Sequence, residues 1–222
     1  MKDRAVERDV AIPAGPVTLA GHVALPVGTS GLVVFVHGSG SSRFSPRNRY
    51  VAGVLAEGGL GILLLDLLSA EEEAIDLRTR AMRFDIPLLA ERVLHVLDWI
   101  QATPDTANLT PGLFGSSTGA AAALIAAARR PGVVGAVVSR GGRVDLAGEA
   151  LPAVRAPTLM IVGGEDRVVL ELNEAAREEL DCERRLEIVP GATHLFEEPG
   201  TLEQVAALTR DWFCRHLRRR DT

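Results

Sequence analysis

Residues 113–130 read Leu-Phe-Gly-Ser-Ser-Thr-Gly-Ala-Ala-Ala-Ala-Leu-Ile-Ala-Ala-Ala-Arg-Arg. At the centre, Gly115-Ser116-Ser117-Thr118-Gly119 matches G-x-S-x-G. That spacing has a mechanical reason. A serine at a sharp strand-to-helix turn sits in strained backbone with its Oγ exposed above a sheet. Glycines two residues to either side let strand and helix approach each other at the bend. The following helix turns its N-terminus toward the serine, where free N–H groups favour developing negative charge. Ser117 is therefore the candidate nucleophile.

The surrounding pattern supplies the strand and the helix. Leu109–Phe114 reads as a short strand weakened by Pro111 and Gly112, and Thr118–Arg130 as an alanine-rich helix that can pack closely on a sheet. Further out, continuous apolar and β-branched runs at Leu32–Val36, Gly61–Leu67, Gly132–Ser139 and Thr158–Val162, with the shorter Leu186–Val189, suit strands buried on both faces. Val6–Ile12 and Val17–Leu25 flank Pro13-Ala14-Gly15-Pro16 and read as an antiparallel hairpin. Helical patterns fall between the strands at Arg49–Glu57, Ile86–Ile100, Leu170–Leu180 and Leu202–Leu217. Strand alternating with helix after an opening hairpin predicts one α/β domain over residues 1–222, an eight-stranded, mostly parallel sheet with helices on both faces. The charged stretch Ser69–Phe84 reads as a solvated helical excursion, with a flap over the site as the alternative.

Composition narrows the partners. The 222 residues carry a net charge of −5, which argues against a broad phosphate-binding face and hence against nucleic acid. The one basic cluster, Arg215 and Arg218 to Arg220, reads as a helix end. Two cysteines, Cys182 and Cys214, form no CxxC pair and no zinc spacing, so they read as core thiols of a reducing compartment, and no metal is expected. The charged N-terminus Met1-Lys2-Asp3-Arg4 lacks a following apolar segment, and Gly119 to Ala128 is half a membrane span, so the expectation is a cytoplasmic protein off the membrane.

A serine needs a base, oriented by a third group. Of five histidines, His22 falls in a strand, His95 in a helix and His216 near the C-terminus, while His37 ends a strand. His194 lies in the turn-rich loop Pro190 to Phe196, after the last strand and before the last helix, where open α/β sheets place their sites. It is the candidate base. The acid is Asp166, in Gly163-Gly164-Glu165-Asp166 after the strand Thr158–Val162, with Glu165 as a close rival and Asp145 as an outside candidate. The loop His37-Gly38-Ser39-Gly40-Ser41-Ser42-Arg43 should give one backbone N–H to an oxyanion hole, from Ser39 or else Gly40, and Thr118 the other. Its two glycines are only a fragment of a dinucleotide fingerprint, so nucleotide binding is rejected.

Taken together, HGSGSS at 37–42, GSSTG at 115–119, GGED at 163–166 and GATHLF at 191–196 resemble the α/β-hydrolase superfamily, and within it the dienelactone-hydrolase-like group. The resemblance implies a sheet whose second strand is antiparallel to the rest, no cofactor, and an acyl-enzyme mechanism on Ser117, Asp166 and His194 acting on a small-molecule acyl substrate. Dienelactone hydrolases proper carry a cysteine nucleophile; serine here favours a general carboxylesterase or acyl hydrolase. A thioesterase or amidase on the same triad and a non-catalytic binding module are the rivals. Only Arg140–Pro157 stands where many relatives insert a lid, which implies a shallow, open site. Arg140 is read either as a fork for an anionic substrate group or as a partner for a nearby acid in its loop. Gly40, Arg43 and Phe196 complete the candidate substrate contacts, although packing beneath the loop is the favoured reading of Phe196.

Overall fold

A computed structural model describes residues 5–217. Its eight strands are β1 (Val6–Ala14), β2 (Val17–Leu25), β3 (Gly31–Val36), β4 (Gly61–Leu65), β5 (Thr110–Ser116), β6 (Ala136–Arg140), β7 (Thr158–Gly163) and β8 (Arg184–Val189). They form one sheet in the order β1-β2-β4-β3-β5-β6-β7-β8. β2 runs antiparallel to both its neighbours, and every pair from β4 to β8 is parallel. The expected α/β-hydrolase architecture therefore holds, including the antiparallel second strand.

The central strands are buried on both faces, as their unbroken apolar runs require. The edge strands β1 and β8 carry Glu7, Arg8 and Asp9, and Arg184, Arg185 and Glu187. Such charges discourage pairing with another chain. Helices cover both faces. On one side α3 (Ile86–Ala102) and α4 (Thr118–Arg129) pack against each other, joined by α5 (Arg167–Glu179) and a 3₁₀ stretch, Val144–Ala153. On the other side α1 (Pro46–Glu57) packs against α6 (Thr201–His216). Two apolar cores result, one on each face of the sheet. The 3₁₀ stretch is all that stands between β6 and β7, so no lid domain rises there.

Several boundaries differ from the sequence reading, for local reasons. β5 runs straight through Pro111 and Gly112. The Pro111 carbonyl accepts from Gly135 N–H at 2.8 Å, ahead of the β6 ladder, which starts at the Gly112–Ala136 pair. The amide that proline lacks would have faced the same side as that carbonyl, so no ladder bond is lost. β6 begins only at Ala136, because Pro131 and Gly132 turn the chain with Gly132 at φ 81°. It extends one residue past Ser139, which makes Arg140 a strand residue and not the start of a loop. The cysteines are not core thiols: Cys182 is half-buried and Cys214 exposed, both as free thiols. Arg218 to Arg220 and the Met1 to Arg4 segment lie outside the described residues. Among the described residues, no helix is long and apolar enough to cross a membrane.

The excursion after β4 is more structured than a solvated face. α2 (Ala70–Thr79) starts in a capping box between Ser69 and Glu72. Glu72 also pairs with the buried Arg92 at 2.6 Å. Asp76 is only 1% exposed. It accepts the N–H groups of Met82 and Arg83 and the Arg83 Nε–H. Burial alone would raise the Asp76 carboxyl, but these donors outweigh it and hold it below the usual carboxylate range. Arg83 is thereby laid against the loop of residues 37–43, where a Cβ at Gly40 would come within 3.2 Å of its Nη1.

Candidate active site

Ser117 occupies the turn between β5 and α4 at φ 50° and ψ −124°. A serine there is strained by about 1–3 kcal/mol. Neighbouring backbone holds it in place. Its N–H donates to the Arg140 carbonyl at 3.2 Å, and its carbonyl accepts from Arg143 N–H at 3.0 Å. The flanking glycines have no room for a side chain. A Cβ at Gly119 would lie 2.2 Å from the Val36 carbonyl oxygen, and one at Gly115 would lie 2.4 Å from the Ala120 Cα. The G-x-S-x-G spacing is thus a packing requirement of this bend as well as a conformational one.

Asp166 and His194 meet across the ends of β7 and β8. Gly163 permits it: a Cβ there would lie 2.3 Å from the Ala192 carbonyl oxygen. The two loops are stitched by Gly164 N–H to Val189 and Glu165 N–H to Ala192, at 2.9 and 3.0 Å. Asp166 Oδ2 then lies 2.6 Å from His194 Nδ1. A carboxylate there makes Nδ1 the protonated nitrogen and leaves Nε2 as the acceptor. The imidazole is 39% exposed and Asp166 only 14%. The rival acids stand elsewhere: Glu165 is exposed, and Asp145 forms a double ion pair with Arg143 at 2.8 and 2.9 Å.

The Ser117 hydroxyl makes no hydrogen bond to His194 in this structure. The elements carrying the two residues are nonetheless adjacent. A Cβ at Gly141, next to the carbonyl that holds Ser117, would lie 3.4 Å from His194 Nδ1. Catalytic hydrogen bonds of unliganded sites are often long and tighten when substrate binds.

The candidate oxyanion loop differs in detail from expectation. Ser39 N–H donates to the Thr118 hydroxyl at 3.0 Å, so this donor is already engaged. Among the described residues, neither Gly40, at φ 71°, nor Thr118, the first residue of α4, has an acceptor for its N–H. Two candidate substrate contacts are engaged within the protein. Arg43 forms an ion pair with Asp66 and stacks over Phe44 at 4.2 Å, so its guanidinium is occupied. Phe196 is 1% exposed and packs in the apolar core under α1 and α6. Arg140 is 8% exposed, and no acid pairs with it among the described residues.

His37 is a site residue that sequence reasoning passed over as a strand end. Its Nε2 accepts Leu67 N–H at 3.0 Å, and its Nδ1–H donates to the Gly38 carbonyl at 2.9 Å. A neutral imidazole thus ties the 37–43 loop to the segment that follows β4. Burial pushes its pKa below the ordinary 6.5. In the unfolded chain the ring takes up a proton near 6.5 while the folded ring stays neutral, so stability falls as pH drops below that value. Urea midpoints measured at about pH 7.5 and about pH 5.5 should fall further for the wild type than for His37→Gln. Equal falls would remove His37 from the account.

On the other side of the same loop lies a groove of about 880 Å³, lined by Ser41 to Phe44, Asp66, Glu71 to Glu73 and Ile75. Neither Ser117 nor His194 lines it.

A family profile described as dienelactone hydrolase matches residues 19–216. The chain belongs to the dienelactone hydrolase family. A crystal structure of dienelactone hydrolase from Anabaena variabilis is 57% identical, covering 96% of this chain and 99% of that one at a TM-score of 0.95. A cold-adapted esterase from an Arctic intertidal metagenomic library, 18% identical at a TM-score of 0.75, covers 96% and 95% and shares the fold. A Mycobacterium tuberculosis protein provisionally named a phosphoribosyl transferase is 59% identical over 211 residues, 95% of this chain and 47% of its own length. The chain thus spans about half of the curated relatives it matches.

Proposed function

We propose that this dienelactone hydrolase family member is a serine hydrolase that cleaves carboxylic esters through an acyl-enzyme on Ser117. The observation that carries the reading is the 2.6 Å contact of Asp166 with His194, set beside a serine strained at the elbow. Ser117 turns its hydroxyl to His194 Nε2 and attacks the carbonyl carbon as the imidazole takes the proton. The N–H groups of Thr118 and of the 37–43 loop receive the oxyanion, from Gly40 directly or from Ser39 once it leaves Thr118. The ester C–O bond breaks, and the imidazolium returns the proton to the departing alcohol. Water, deprotonated by the same imidazole, then releases the acid and restores Ser117. Asp166 remains ionised and holds the tautomer throughout.

The phosphoribosyl transferase name belongs to a relative about twice as long. Over the stretch that matches it, this chain carries the strained Ser117 turn and the Asp166–His194 contact, which favours hydrolysis for this chain. A p-nitrophenyl ester, a thioester and an anilide of one acyl group separate the esterase from its thioesterase and amidase rivals. The ester should turn over fastest, and a fluorophosphonate probe should attach to the Ser117 peptide. No labelling together with no ester turnover would remove the proposal.

A further inference from the structure

Side chains alternate along β6. Val137 joins the core on the α4 side, and a Cβ at Gly142 would strike both Ser139 Oγ and Ala120 Cβ. Ala136 and Val138 join the core on the α1 and α6 side. Arg140 follows Val138 onto that second face. It ends the strand at the level of Ser117, whose N–H its carbonyl accepts. Phe196 belongs to the core on the same face. The next residue, Glu197, takes an ion pair at 2.9 Å from Arg47, in the first turn of α1.

Among the described residues, Arg140 has no counter-charge there. It is 8% exposed, and its Nε and Nη1 are buried without a hydrogen-bond partner, as is Arg47 Nε. Glu197 is engaged by Arg47, and the acid of the neighbouring loop, Asp145, by Arg143. Burial, with the Arg47 charge behind it, lowers Arg140 to about 10, so the guanidinium is still charged at neutral pH. A buried, unpaired cation opposes folding and is tolerated where function requires it. Two arginines close enough to repel, set beside the N-terminus of α1, also make the region positive.

We infer that Arg140, backed by Arg47, binds an anionic oxygen group of the substrate, a carboxylate or a phosphate, beside Ser117. The inference deepens the serine-hydrolase reading and rests on it for the word substrate. The anion would take hydrogen bonds from the unpaired guanidinium, as arginine forks do for both groups. Substrates would then be esters carrying a negative charge a short distance from the scissile carbonyl.

Thermal unfolding of the full chain with glutarate, inorganic phosphate or chloride tests binding apart from catalysis, and the Ser117→Ala protein is run in parallel. Glutarate or phosphate, whichever chemistry applies, should raise the melting temperature of both proteins above chloride at equal ionic strength. Arg140→Met should melt at or above the wild-type temperature without anion, because an unpaired buried charge is gone, and should lose the anion response. Arg140→Lys should keep part of it. In competition against p-nitrophenyl acetate, monomethyl glutarate should inhibit at a concentration about tenfold below dimethyl glutarate, a preference that Arg140→Met erases. A large fall in the melting temperature of Arg140→Met would instead show a structural arginine and overturn the inference. So would an anion response equal to that of chloride. Anion binding without fluorophosphonate labelling would leave the subsite standing and defeat only the hydrolase reading.

Discussion

Replacing Ser117 with alanine is expected to lower kcat for p-nitrophenyl acetate by roughly 10⁵–10⁶-fold with the fold intact. The size follows from the parts. Without the hydroxyl there is no acyl-enzyme, and His194 and the backbone donors can only assist water. The fold should survive because alanine meets the same strain at φ 50° that serine does. Ser117→Gly adds a second readout. Glycine adopts positive φ freely, so that variant should be equally inactive yet more stable than Ser117→Ala by about 1 kcal/mol. Dead but stabilised protein would show that strain is held at the elbow for chemistry. Turnover within tenfold of wild type in either variant, or fluorophosphonate labelling that persists in Ser117→Ala, would place the nucleophile elsewhere.

Asp166→Asn should cost on the order of 10⁴-fold in kcat, or about 5.4 kcal/mol of barrier. The geometry gives the reason. Asp166 Oδ2 faces His194 Nδ1 at 2.6 Å, so the carboxylate selects the tautomer with Nε2 free to receive the serine proton. An asparagine can turn its amide N–H toward Nδ1, which moves the imidazole proton to Nε2 and disables the base. The neighbouring carboxylate supplies the control. Glu165 is exposed and makes no ion pair, so Glu165→Gln should stay within about threefold of wild type. A loss under tenfold in Asp166→Asn, or a larger loss in Glu165→Gln, would reassign the acid.

Much of the architecture was legible because its signals are local. β3, β4 and β7 are apolar runs, and such runs need cover on both faces. The elbow was legible from five residues, since a backbone bend this tight tolerates almost nothing but glycine at its shoulders. The misread details share a different origin. Whether Pro111 interrupts a strand depends on which neighbour its missing N–H would have met, and that is a property of the sheet. The acids of Ser69–Phe84 looked alike in the sequence. Only packing separates Asp76, buried beneath Arg83, from the exposed Glu71.

The sequence by itself determined the α/β alternation, the strained serine turn and the two loops that carry Asp166 and His194, because periodicity and backbone strain are written in adjacent residues. The tertiary structure decided which carboxylate meets the imidazole, which arginine pairs with Asp66 and which has no partner among the described residues, and that His37 braces the 37–43 loop from within. Pairing and desolvation are relations between groups far apart in the chain, and they acquire values only when the sheet sets those groups side by side.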